Sequence, residues 1–124
     1  MDWRNIYQSK LVSAEEAVKV VKSGDTVVIG TITEPKILPQ ALYARRNELE
    51  GVKLLGTNLQ SDPGWYQPGH PSFSPVETVF VGDLFRPCLD EKRGDYLPSS
   101  FSLQFKAIDV RLNEGKDIDV FHTV

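Results

Sequence analysis

The stretch VVIGTITEPKILPQAL, Val27 to Leu42, passes from an apolar strand-like run into a helix-like one through a turn carrying Thr31, Thr33 and the carboxylate of Glu34. Such a turn offers backbone amides and two hydroxyls that can hold an anion or oxyanion, and a carboxylate able to act as acid, base or binding group. Glu34 also has a structural use, because an acidic group beside Pro35 at a helix start favours the helix dipole. The turn lacks the repeated glycines of a phosphate loop. His70 and His122 are the only two histidines and lie far apart without a ligand cluster, so no metal site is expected. The single cysteine, Cys88, follows Pro87 near Arg86, whose charge could lower the thiol pKa, whereas burial would leave it inert. Trp65 and Tyr66 could stack on a ligand or pin their loop. Arg45–Arg46 and the run Glu91 to Arg93 read as solvated charge.

The elements that must position these groups follow from periodicity. Ser13 and Glu16 form a capping-box pattern, and Ala17, Val20 and Val21 give an apolar stripe, predicting a helix over 14–22. Thr26 to Gly30 is a short β-branched run suited to a strand buried on both faces. Pro35 can occupy a first helical position, and Leu38, Ala41, Leu42 and Leu49 supply the stripe behind it. Pro39 then demands a kink or a helix that starts at Pro39 itself. Val52 to Gly56 is a second strand. Residues 57–75 hold many prolines and glycines and are expected to be a functional or mobile loop. Strands over 77–82, around 95–97 and over 118–124, a short helical turn early in the segment 83–99 and a helix over 102–113 complete the chain. Strands alternating with helices predict an α/β fold with a mostly parallel sheet flanked by helices, whose ligand crevice lies beyond the carboxyl ends of the strands.

The chain has 124 residues, enough for one domain (1–124), and a net charge of −3, which argues against a nucleic-acid partner. No stretch has the length and apolarity of a membrane span, the first ten residues lack a signal-peptide core, and one cysteine suits a reducing compartment, so a cytoplasmic protein with no membrane partner is expected. The sequence stops inside an apolar strand, and we read it as the N-terminal portion of a longer protein.

The order of segments is more specific than any one of them. DWRNIY, SAEEAVKVVKSGDTVVIG and EPKILPQAL, followed by VFVGDLFRP, GDYLPSSFS and IDVFHTV, resemble the beginning of the acetyl-CoA hydrolase/transferase family, which includes 4-hydroxybutyrate and acetate CoA-transferases. The resemblance spans nearly all of the chain. It implies transfer of coenzyme A between an acyl-CoA and a carboxylate, or thioester hydrolysis, with a coenzyme A thioester as substrate and no bound cofactor. The family's nucleophile is a glutamate of the C-terminal domain. Glu34 does not match it, so this chain carries no catalytic residue by that reading. The resemblance also implies that the loops after the first two strands face the cleft, which makes Gly30, Thr31, Thr33, Glu34, Gly56, Thr57 and Asn58 the substrate-binding candidates. The first of these loops has fewer glycines than in many relatives.

On this reading the chain contributes cleft loops and depends on a second domain, in the same polypeptide, a complementing subunit or a homo-oligomer. The alternative is a non-catalytic small-molecule-binding or partner-dependent α/β domain. A sugar-phosphate isomerase of related fold is a weaker enzyme alternative.

Overall fold

The apolar runs of the sequence become neighbours in one sheet. The computed structural model describes residues 2–30, 34–69, 71–103 and 118–123. Its strands are β1 Thr26–Ile29, β2 Val52–Gly56, β3 Phe73–Thr78, β4 Asp95–Leu97 and β5 Val120–His122. All pairings are parallel, in the order β4-β3-β2-β1-β5. The expected α/β class with a parallel sheet is the one observed. Val27 is in register with Leu54 on one side and Val120 on the other. Paired residues share a face of the pleat, so these three form one apolar row across the sheet centre. The order runs from β1 through β4, then returns to place β5 on the other side of β1. That reversal is the topological switch point of an open parallel sheet.

Among the described residues the strands are flanked in sequence by α1 Trp3–Lys10, α2 Ala14–Ala17, α3 Ile37–Ala44 and α4 Arg86–Asp90. The sequence reading starts its first element at Ser13, and α1 precedes it. Asp2 caps α1 by accepting the Arg4 N–H at 3.0 Å, yet none of the residues of α1 is buried. At α2, Ser13 Oγ accepts the Glu16 N–H at 3.2 Å, as the capping pattern predicts. The helix expected to reach Lys22 gives way to a 3₁₀ turn over Val18–Val20, and Val21 is extended. Valines at 18, 20 and 21 fit a helix poorly because their χ1 is restricted. The carbonyls of Val18 and Val21 accept from the Arg45 guanidinium, a partner outside the helix.

Pro39 resolves without a kink. It is the third residue of α3, where the N–H has no intrahelical partner, and the carbonyl it would strike belongs to Pro35, outside the helix. The third strand is shifted relative to expectation: β3 begins at Phe73 rather than Glu77. Pro75 looks like loop in sequence but sits inside β3, paired with Leu54. Its carbonyl faces Gly94, where an added Cβ would stand 2.8 Å away, so its missing N–H also faces β4. The β3–β4 ladder starts only at Val76 and Asp95, and no donor is needed from Pro75. The helix predicted over 102–113 falls mainly outside the described residues; residues 101–103 are helical.

Behind the sheet the core gathers Val18, Val21, Val27, Ile29, Leu42 and Leu54 with Trp65, Phe85 and Cys88. The second half of the irregular segment is therefore structural. Trp65 and Tyr66 are buried and meet Phe73 and Phe85 edge-on at 6.0 and 5.5 Å. The Asp62 carboxylate accepts the N–H groups of Gly64 and Tyr66 at 2.8 and 3.2 Å, and Arg93 donates to the Tyr66 carbonyl at 2.6 Å. Of the two uses open to Trp65 and Tyr66, the fold employs them to pin the loop.

Candidate functional site

The loops that leave the carboxyl ends of β1, β2 and β3 converge on one cleft. Glu34, half-buried, reaches from the first loop to the second. Its Oε2 accepts the Gln60 N–H at 2.9 Å and its Oε1 accepts the Ser61 hydroxyl at 2.5 Å. Neither of the two uses weighed from sequence anticipates this clamp between loops. Lys36, not Glu34, occupies the N-cap of α3, and no side chain caps it.

The second loop reaches the third through Asn58. Asn58 adopts φ 51°, a left-handed conformation that asparagine tolerates better than most residues. Its amide packs over Gly82, where an added Cβ would stand 2.6 Å from Asn58 Oδ1. In the third loop Val79 has φ 68°, a strained conformation for a β-branched residue. The Tyr96 hydroxyl donates to the Val79 carbonyl at 3.1 Å, tying this turn to β4.

The cleft enclosed by these loops has a volume of about 310 Å³ and is lined by Glu34, Thr57, Asn58, Leu59, Gln60, Phe80 and Phe101. A hollow of about 270 Å³ adjoins it, sharing Asn58, Leu59 and Gln60 and adding Gly82, Asp83 and Leu84. One wall is aromatic: Phe80 and Phe101 meet edge-to-face at 5.6 Å, and are 50% and 53% exposed. Among the described residues no lysine or arginine lines either space, and no cation pairs with Glu34.

The structure thus brings Glu34, Thr57 and Asn58 together. Gly56 ends β2 beneath them, with room for a hydrogen but not a methyl group: a Cβ there would stand 2.7 Å from the Leu59 side chain. Gly30 lies at the switch point and donates its N–H to the His122 carbonyl at 2.8 Å. Thr31 and Thr33 lie outside the described residues. Leu59, Gln60, Phe80 and Phe101 were missed as site residues. Gln60 lay in a segment flagged for irregularity. Phe80 and Phe101 were read as parts of a strand and a helix stripe, and nothing in their spacing distinguishes an exposed phenylalanine from a core one.

The remaining reactive groups have other uses. Cys88 is fully buried, and burial raises its thiol pKa, outweighing the opposing pull of Arg93. Arg86, the cation suggested by sequence, is not the one that acts. His122 is also buried, and burial lowers its pKa below the ordinary imidazole value of about 6.5. Its Nδ1 has no hydrogen-bond partner. Among the described residues no cluster of histidine, cysteine and acidic groups is placed to hold a metal ion. Arg45 caps carbonyls and pairs with Glu48, while Arg46 lies over the Tyr43 ring at 5.0 Å. Among the described residues no helix is long and apolar enough to cross a membrane.

Residues 1–120 match the acetyl-CoA hydrolase/transferase N-terminal domain. A 4-hydroxybutyrate coenzyme A transferase of Clostridium kluyveri is 28% identical over 82% of this chain and 24% of its own length. A succinyl-CoA:cyclohexane-1-carboxylate CoA transferase of Geobacter metallireducens is 31% identical over 77% of the chain and 22% of its own. A butyryl-CoA:acetate CoA-transferase of Anaerostipes caccae reaches 47% identity over 45% of the chain and 13% of its own. The crystal structure of RipA from Yersinia pestis superposes with a TM-score of 0.73 at 26% identity, covering 98% of this chain and 30% of RipA. The chain spans about a quarter of the length of the first two of these curated relatives.

Proposed function

The chain belongs to the acetyl-CoA hydrolase/transferase family, and on that premise we propose that it supplies the N-terminal, cleft-forming part of an acyl-CoA:carboxylate CoA-transferase or acetyl-CoA hydrolase. The observation that carries this reading is the Glu34 clamp, which closes the loops after β1 and β2 around one cleft at the carboxyl end of the sheet. Crevices at the carboxyl end of open parallel sheets hold ligands.

In the proposed reaction a glutamate carboxylate attacks the thioester carbonyl. The C–S bond breaks, coenzyme A leaves as thiolate, and an acyl-glutamyl anhydride forms. The thiolate then attacks the glutamyl carbonyl and releases the acyl group as carboxylate, leaving a glutamyl-CoA thioester. The glutamate belongs to the part of the relatives that this chain does not span. Glu34 is unsuited to the role because both of its oxygens accept hydrogen bonds that join loops. Its part is positioning. The amides and hydroxyls of Thr31, Thr33, Gly56, Thr57 and Asn58 are the groups we assign to the thioester and to the oxyanion formed on it, while Gly30, whose N–H is taken by the His122 carbonyl, opens the turn that carries Thr31 and Thr33.

The test is a fusion. The 124-residue chain alone should not transfer coenzyme A from butyryl-CoA to acetate. Joined to the portion of the Anaerostipes relative beyond its match, it should do so, and Asn58→Ala should slow the fusion by about tenfold or more. Turnover by the chain alone, or a folded fusion without transfer, would contradict the proposal.

A further inference from the structure

The exposed pair Phe80–Phe101 has no role in the proposed reaction, and the fold does not bury it. We propose that these two rings are the acyl-specificity wall of the cleft, and that the group they select is a straight apolar acyl chain uncharged at its far end. This rests on the reading of the cleft as a thioester site.

Three observations carry it. The rings line the same 310 Å³ space as Glu34, Thr57 and Asn58. About half of each ring remains exposed, so covering them with an apolar group removes further surface from water. Phe80 directly follows Val79, whose φ of 68° is the strained step that turns the chain out of β3. Strain of this kind is stored where it serves a site.

Charge sets the second half of the selection. Among the described residues Glu34 is the ionisable group lining this cleft, no lysine or arginine lines it, and Asp83 lines the hollow next to it. An acyl chain ending in a carboxylate would meet this negative edge with no cation among the described residues to receive it. Its repulsion would be felt over a few ångströms in a space partly shielded from water.

The test uses truncated thioesters that share one thioester end and carry no nucleotide, so that only the acyl chain differs between them. S-butyryl-, S-hexanoyl- and S-succinyl-N-acetylcysteamine are titrated into the 124-residue chain. Binding is read from the backbone-amide and aromatic NMR signals of Phe80, Phe101, Asn58 and Gln60. Hexanoyl should bind more tightly than butyryl by about fourfold per buried methylene, and succinyl should be weaker than butyryl by about tenfold. Phe80→Ala and Phe101→Ala should each erase the chain-length dependence, while Phe80→Leu and Phe101→Leu, which keep an apolar wall, should retain most of it. Glu34→Gln, which removes the charge and keeps one of the two acceptor oxygens, should narrow the gap between succinyl and butyryl. Equal binding of the succinyl and butyryl thioesters, or chain-length dependence that survives both alanine variants, overturns the proposal. So does the absence of shifts at the two rings, which would mark the pair as a docking face for another protein segment. Failure of the fusion to transfer coenzyme A, with this binding pattern intact, would instead refute the catalytic reading alone.

Discussion

Two aromatic pairs in this molecule have nearly the same geometry and opposite surroundings. Tyr66 and Phe85 meet edge-on at 5.5 Å and 60°, and are 3% and 1% exposed. Phe80 and Phe101 meet at 5.6 Å and 66°, and are about half exposed. The first pair closes the core beneath a loop that hydrogen bonds from Asp62 and Arg93 hold in place. The second stands beside a cleft at the carboxyl end of the sheet. Ring–ring attraction is similar in both, so the difference lies in water. Burial stabilises the first pair, whereas the second leaves apolar surface for something else to cover.

The sharpest way to break this contrast is to truncate one ring of each pair. Phe85→Ala should cost about 3–5 kcal/mol in a denaturant titration, because a fully buried ring leaves a cavity. Phe101→Ala should cost less than about 1 kcal/mol, the worth of an exposed aromatic contact. A comparable loss at both sites would mean that the exposed pair also holds the fold together.

Glu34 offers the next largest effect. Replacing it by Ala removes both hydrogen bonds to Gln60 and Ser61 and should lower stability by about 1.5 kcal/mol. Gln60 should lose amide-exchange protection while Val27 and Leu54 keep theirs. Loss of protection spread evenly through the sheet would show that Glu34 serves the fold at large rather than the cleft.

A smaller effect is expected from pH. The pKa of His122 is lowered by burial, so the unfolded chain binds a proton more readily than the folded one. The stability linked to this group is complete above the unfolded value of about 6.5 and falls as pH drops through that value toward the folded one. His122→Gln should flatten this part of the stability curve, measured as melting temperature against pH. An unchanged slope would assign the pH response to other groups.

The smallest effect concerns the turn before Phe80. Val79→Gly relieves the positive φ and should leave stability within about 1 kcal/mol of the parent chain, or raise it. A large loss would mean that the valine side chain, rather than the turn it strains, is what matters at that point.

Much of this was legible in the sequence, and the exceptions have physical reasons. β1 and β2 announce themselves as short apolar or β-branched runs bounded by turn residues. The strand-to-helix turn at Glu34 marked one side of the cleft. The hydrogen bonds from Glu34 to residues 26 and 27 positions away were not legible, because local pattern carries no information about pairing between loops. Pro75 hid the start of β3, since its tolerance depends on how far β4 extends beside it. α1 went unread although Trp3, Ile6 and Tyr7 recur at helical spacing, because none of them enters the core. Phe80 and Phe101 show the limit most plainly: periodicity places a phenylalanine on an element but does not say whether anything covers it.

The same contrast gives the most direct test of the central claim. A separate cavity, about 400 Å³, lies near the start of β3 and is lined by Trp65, Gln67, Gly69, Pro71, Phe73, Ser74 and Arg93. Backbone-amide NMR of the 124-residue chain titrated with butyryl-CoA compares it with the cleft at the carboxyl end in one experiment. The account predicts shifts concentrated at Gly56 to Ser61, Phe80 and Phe101, with Gln67, Gly69, Ser74 and Arg93 unmoved. Shifts confined to the latter group, or an unperturbed cleft at saturating ligand elsewhere, would contradict it.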